Sequence, residues 1–280
     1  MKIITDNNRL LALVPNVAIT VEGEQTLLDK LTPWLNTAEQ WVENKLTGED
    51  VLTDIAADST TNVWQQVAGL IVAEALRQAI PSLDLVLTPN GFGIVSTQDV
   101  APASKERVER LIDKMTARRD YLIDMLIDSL MQHQDWQETP QRAWFAQSLL
   151  QWPKMVVTDV CGNNFDGDRW AKFLELRGRA VNIEAEIAER WVSDELMQRL
   201  RDTVLDPNAD VDDMHLAGRV ARCVLDELQG LPRKTYVLDR IVDHIRKRPD
   251  EYPEWQESTT ARLFEPPLFR NKKESTGYFF

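Results

Sequence analysis

The pentapeptide Asp135-Trp136-Gln137-Glu138-Thr139 returns near the other end of the chain as Glu254-Trp255-Gln256-Glu257-Ser258. Phe145 follows the first copy at the same spacing at which Phe264 follows the second. Trp-Gln-Glu is not a generic composition for an amphipathic helix, so chance reuse explains the match poorly. The pattern predicts an internal duplication.

Further blocks repeat upstream in the same order. Residues 121–124 match residues 236–239, and residues 38–42 match residues 188–192 in a register that pairs Trp41 with Trp191. The other matched blocks are 11–20 with 149–158, 74–76 with 226–228, and Asp128 with Asp243. Trp41 and Trp191 are therefore predicted to occupy equivalent, largely buried positions.

Apolar residues recur three and four positions apart along most of the chain, which is typical of amphipathic helices. The spacing predicts helices over 26–46, 62–80, 168–205, 214–228 and 235–247, with a long helix opened by Ser104. Pro33 either bends the first of these or starts a fresh helix.

One segment has a β pattern. Two short apolar runs in residues 85–96 flank Asn90-Gly91, which favours a tight hairpin turn. The expected fold is therefore mainly α, with two tandem divergent helical modules, the first carrying a β-hairpin insertion. Module one spans 1–145, module two spans 148–264, and 265–280 form an extended C-terminal tail.

The charge excludes some partners. The 280 residues hold 32 Lys and Arg against 45 Asp and Glu, a net charge of −13. Such a field opposes general binding of nucleic acid or anionic membrane. The apolar stretch 10–21 is broken by Pro15 and has no signal-peptide pattern, so we expect a cytoplasmic protein.

No pattern indicates a catalytic, cofactor or metal site. The acidic loop 206–213 resembles a calcium loop at first but has Val211 where glycine belongs. His133, His215 and His244 are not at metal-ligand spacing. We therefore predict a protein that is not an enzyme and that needs no cofactor.

Aromatic and apolar side chains are the candidate interaction residues. Trp136 and Trp255 lie in polar company after the last long helix of each module, although core packing is the simpler interpretation. The hairpin and the tail, which either docks on a partner or folds back on its own chain, supply the remaining candidates: Phe92, Ile94, Phe269, Tyr278, Phe279 and Phe280.

Residues 87–96 and 101–108 resemble an uncharacterised protein family of Bacteroides-type bacteria and their prophages. Module one also resembles the small helical connector proteins that form rings in the head–tail neck of tailed bacteriophages. That resemblance rests on Ala38, Trp41, Val42, Leu46 and Thr47-Gly48, followed by an apolar helix and a hairpin. It implies a ring of protein subunits and no defined site, and the doubled module departs from single-module connectors.

Two hypotheses follow. In the first, the chain is a structural or assembly protein of a prophage-like element that binds only protein, either itself in a ring or portal-type proteins. In the alternative, it is an intracellular helical scaffold or regulator unrelated to virions. Neighbouring portal, capsid and tail genes would favour the first.

Overall fold

The computed structural model describes residues 1–14, 25–83, 85–88, 91–94 and 104–266, and for 85–88 and 91–94 it describes the backbone alone. The predicted mainly helical fold is confirmed. We divide the chain into a first half, residues 1–146, and a second half, residues 147–266.

The first half contains six α-helices and one pair of strands in the part that the structure describes. The helices are α1 (Asn7–Leu13), α2 (Leu27–Val42), α3 (Glu49–Ala57), α4 (Asn62–Leu83), α5 (Lys105–Leu130) and α6 (Pro140–Phe145). Strand β1 (Leu85–Thr88) pairs antiparallel with β2 (Gly91–Ile94). The predicted role of this segment as an insertion that contacts a partner stays a prediction.

The second half is helical throughout. Its helices are α7 (Pro153–Cys161), α8 (Arg169–Ile187), α9 (Asp194–Val204), α10 (Val211–Leu228), α11 (Thr235–Arg246), α12 (Pro253–Gln256) and α13 (Thr259–Arg262).

Local sequence explains where these helices begin. Thr26 caps α2 in a capping box with Asp29, so Pro33 lies inside one continuous helix and does not start a new one. Asp168 caps α8 by accepting from the backbone N–H of Ala171. Apolar faces from both halves then join in one continuous core.

Each half has a π turn after its first long helix. The π turns are Glu43–Thr47 and Ala188–Val192, and each ends at a residue with positive φ. These are Gly48 at φ 83° and ψ 165°, and Ser193 at φ 75° and ψ 156°. Residues 168–205 are therefore helical as predicted except at Ser193, whose positive φ ends the π turn and separates α8 from α9.

Candidate interaction site

The indole of a buried tryptophan closes each π turn. Trp136 Nε1 donates to the carbonyl of Leu46 at 2.8 Å, and Trp255 Nε1 donates to the carbonyl of Trp191 at 2.7 Å. Leu46 and Trp191 are the fourth residues of their π turns. The repeated Trp-Gln-Glu blocks thus satisfy the same backbone acceptor in each half.

The residues after each tryptophan repeat the arrangement. Thr139 Oγ1 donates to the carbonyl of Trp136 and caps α6, while Ser258 Oγ donates to the carbonyl of Trp255 and caps α13. Two positions further on, the Gln141 side chain donates to the carbonyls that open the first π turn. Thr260 Oγ1 does the same at the second.

A buried glutamate anchors the opening segment of each half. Glu39 accepts from the backbone N–H of Ile3 at 3.0 Å, and Glu184 accepts from the backbone N–H of Leu149 at the same distance. Arg201 adds an ion pair to Glu184 at 2.8 Å. In both halves, therefore, a buried glutamate accepts from the backbone of the segment that leads into the first helix.

Helices α5 and α11 also correspond. Arg119, just before Tyr121, pairs with Glu74 of α4, and Lys234, just before Tyr236, pairs with Asp226 of α10. The buried stripes of the two helices match position by position: Ile123 with Leu238, Leu126 with Ile241, Ile127 with Val242, and Leu130 with Ile245.

The contacts correct the sequence alignment. The carbonyls that accept from the two buried indoles belong to Leu46 and Trp191, so these two residues are equivalent. The predicted equivalence of Trp191 to Trp41 is wrong. Both tryptophans are half-buried, contrary to the prediction that they are largely buried. The start of α7 at Pro153 corresponds to the start of α1 at Asn7. The predicted match of residues 11–20 with 149–158, which paired Pro15 with Pro153, is therefore in the wrong register.

The start of α7 docks on the outer face of α5. Asp124 accepts from the backbone N–H groups of Lys154 at 3.0 Å and Met155 at 3.2 Å. Asp128 accepts from Trp152 Nε1 at 2.8 Å. Burial raises the pKa of Asp124 to about 6, although these N–H donors favour its charged form.

A buried ion cluster lies at the same junction. Arg119, whose side chain is 3% exposed, pairs with Asp120 of its own helix at 2.8 Å and with Asp168 of the second half at 3.0 Å. Arg169 approaches Asp120 at 3.5 Å. These carboxylates raise the pKa of Arg119, while burial raises the pKa of Asp120. Arg119 is therefore a buried structural charge and not part of the exposed surface of α5.

Aromatic rings fill the rest of the junction. Trp170 at the start of α8 meets Trp41 edge-on, with centroids 5.3 Å apart, and lies 6.3 Å from Trp144. The Arg177 guanidinium is 4.1 Å from the Trp144 centroid. An open groove of about 260 Å³ remains beside Trp144, Trp170 and Leu174, smaller than a typical small-molecule pocket.

Basic side chains of α10, of α11 and of the residues just after α11 line one surface cleft. Arg219, Arg240, His244, Lys247 and Arg248 surround an open cleft whose single carboxylate is Asp243. Arg219, Arg240 and Lys247 form no ion pair with any residue that the structure describes. Tyr236, on the same helix, is 60% exposed. Sequence reasoning missed this cluster because the net charge of the chain is acidic.

The predicted interaction residues have different positions. Trp136 is fully buried and Trp255 is 1% exposed, so the structure places both in the core, where their indoles serve the π turns. Core packing, the simpler of the two interpretations, is the one that their burial supports, and neither indole is available as a surface contact. Phe92 and Ile94 lie on β2, whose side chains are outside the described part. Phe269, Tyr278, Phe279 and Phe280 lie outside the described residues.

The acidic loop has a structural role. Asp210 caps α10, and Asp213 forms an ion pair with Arg199 at 2.7 Å. Within the described residues, no group of three or more His, Cys, Asp or Glu side chains is placed to hold a metal ion. No helix there is both long enough and apolar enough to cross a membrane.

Comparison with known proteins gives one match. Residues 20–146 match the model of a family described only as a family of unknown function, DUF6712. This region spans most of the first half and stops before the second. No curated protein and no solved structure matches the chain.

Proposed function

We propose that the chain is a non-catalytic assembly protein of a prophage-like element, acting as a component of the head–tail neck, and that its two halves are diverged copies of one helical module. The observation that carries the proposal is the docking of one copy of the frame on the other through α5 and α7. Elements that dock in tandem are suited to ordered assemblies.

The matched contacts support the duplication. A buried indole on a π-turn carbonyl, a capping hydroxyl after it and a buried glutamate on the opening segment occur in both halves. Independent origin would have to reproduce each contact at the same place. The family match over residues 20–146 covers most of one copy of this frame, from α2 to α6.

The chemistry of the described surface favours protein partners. The junction groove is small, and the strongest polar networks, around Arg119 and Glu184, are structural and buried. The partners we propose are a second copy of this chain and portal-type proteins.

Deletion of the gene tests the proposed function. After prophage induction, a neck component is expected to leave DNA-filled heads that are not joined to tails, visible by electron microscopy. Expression of the full chain in trans should restore joined particles. Intact particles from the deletion strain would contradict the proposal and favour the cytosolic scaffold hypothesis.

A further inference from the structure

The outward surface of α11 repeats that of α5. Each helix carries one tyrosine and two aspartates at positions three, four and seven residues apart, and residues at these spacings share one side of a helix. We call these surfaces the Tyr-Asp faces, and they consist of Tyr121, Asp124 and Asp128 on α5, and of Tyr236, Asp239 and Asp243 on α11.

The segment that follows α6 covers the Tyr-Asp face of α5. Its Trp152 indole donates to the last carboxylate of the face. Asp124 accepts from the backbone N–H groups of Lys154 and Met155. The ammonium of Lys154 then lies 5.1 Å from the ring centre of Tyr121. On the first half, therefore, this face is a docking surface for the chain that comes directly after the Trp-Gln-Glu block.

The Tyr-Asp face of α11 has no such cover among the described residues. Tyr236 is 60% exposed. Asp239 accepts from Trp191 Nε1 through one of its two oxygens, and Asp243 faces the open cleft. The second half thus presents the same docking surface without an occupant in the described part of the chain.

The residues after α13 continue the repeat in the register of the two Trp-Gln-Glu blocks. No gap is needed between those blocks and the matches that follow them. Residues 267–274, which lie outside the described part, are therefore a diverged copy of the segment that docks on α5. The matching positions are Leu149 with Leu268, Leu150 with Phe269, and Lys154 with Lys273.

One pair of replacements keeps the two surfaces complementary. Met125 lies on the Tyr-Asp face of α5, and its counterpart on α11 is Arg240. In the docking segment the counterpart of Met155 is Glu274. Apolar residues on the two sides of the first contact are thus replaced by opposite charges in the second, which favours pairing.

At the end of the face near Asp243, where other cations line the cleft, the tail has a neutral residue. Asn271 is the counterpart of Trp152, and its amide N–H is suited to donate to Asp243 as the indole donates to Asp128. We carry over only the contacts of the Tyr-Asp face, because the two segments differ at positions that are buried in the first: Gln151 against Arg270, and Pro153 against Lys272.

We propose that residues 271–274 dock on the Tyr-Asp face of α11 in the same chain. Lys273 then lies over the ring of Tyr236, and the backbone N–H groups of Lys273 and Glu274 donate to Asp239. The tail follows α13 as the first docking segment follows α6, so the same connection serves both. The contact rests on the equivalence of the two halves and not on the neck function, and it commits the tail to its own chain.

Hydrogen exchange in the full chain, measured by NMR, tests the contact. Two hydrogen bonds to a carboxylate should slow exchange of the amides of Lys273 and Glu274 about tenfold relative to a free peptide of residues 265–280. Asp239→Ala removes the acceptor and should abolish this protection. Glu195→Ala removes an exposed carboxylate from α9 and is the matched control, which should keep the protection. Melting curves close to that of the wild type show that both variants are folded.

Zero-length cross-linking separates docking within one chain from docking between chains. Equal amounts of 14N- and 15N-labelled protein are mixed, treated with a carbodiimide, digested and analysed by mass spectrometry. We expect an amide between Lys273 and Asp239 whose two peptides carry the same isotope, because Lys154 lies close enough to Asp124 to favour its charged form. Lys273→Arg should abolish this amide, and Lys272→Arg should leave it.

Exchange at the rate of the free peptide would overturn the docking, as would an equal loss of protection in the Glu195→Ala control. An amide found only in mixed-isotope pairs would overturn docking within the chain and assign the tail to a second copy. An amide that survives Lys273→Arg but not Lys272→Arg would overturn the register. A failed contact would leave the matched tryptophan contacts in place, so it is distinguishable from a failure of the duplication.

Discussion

Replacing the paired tryptophans with phenylalanine tests whether the two halves are built alike. Trp136→Phe and Trp255→Phe each remove the indole N–H from a side chain that is at most 1% exposed. The carbonyl of Leu46 or of Trp191 is then left without its donor. A buried acceptor left unsatisfied costs about 1–3 kcal/mol, and the smaller ring adds roughly 1 kcal/mol of lost packing.

Each variant should therefore lower the unfolding free energy by about 2–4 kcal/mol, measured by urea unfolding with circular dichroism. Trp191→Phe is the matched control, because its half-buried indole donates to Asp239 at the surface. It should cost about 1 kcal/mol or less. A large cost for Trp136→Phe beside a Trp255→Phe variant as stable as the control would refute the equivalence of the two sites.

Three further variants test individual contacts. Gly48→Ala should lower the free energy of unfolding in urea more than Gly162→Ala does. Both glycines have positive φ, but only at Gly48 would an added Cβ meet another side chain, Gln141 Oε1 at 3.1 Å. Equal losses of stability would contradict the tight packing of the first π turn. Arg119→Met should lower the free energy of unfolding by about 3–5 kcal/mol, because it leaves buried carboxylates without a cation. Its control, Arg179→Met at an exposed position, should lower it by under about 0.5 kcal/mol. A similarly small loss for Arg119→Met would contradict the buried cluster. The folded-state pKa of Asp124, about 6, is above its unfolded value, so its protonation adds stability as pH falls through 6 toward 4. Asp124→Asn should remove that part of the pH dependence, and an unchanged difference from wild type between pH 7 and 4 would show that Asp124 does not titrate in this range.

The sequence predicted those parts of the fold that rest on unusual residue combinations. The Trp-Gln-Glu blocks and the Tyr-Asp pattern are too specific to match in a wrong register. The two tryptophans make the same contact in each half, whereas Asp124 and Asp239 share a position and accept from different donors. The predicted match of residues 38–42 with 188–192 was in the wrong register, because the apolar pattern of an amphipathic helix repeats and fits more than one alignment. The extra residue of a π turn leaves no mark that would correct the register.

Other features needed three dimensions. Ser193 has a positive φ that its residue type does not suggest, whereas Gly48 at the equivalent position is the residue type that favours a positive φ. Arg119 looked like a surface charge because the partner that buries it, Asp168, comes from the other half. The α11 cation cluster joins residues of two helices and is invisible to net charge.

The central claim is that this chain works as an ordered protein assembly within a virion neck. Quantitative mass spectrometry of intact particles, purified after prophage induction, tests it most directly. We expect the chain to be present at a fixed copy number relative to portal protein, as a closed ring requires. Its absence from particles that contain capsid and tail proteins would contradict a role in the neck.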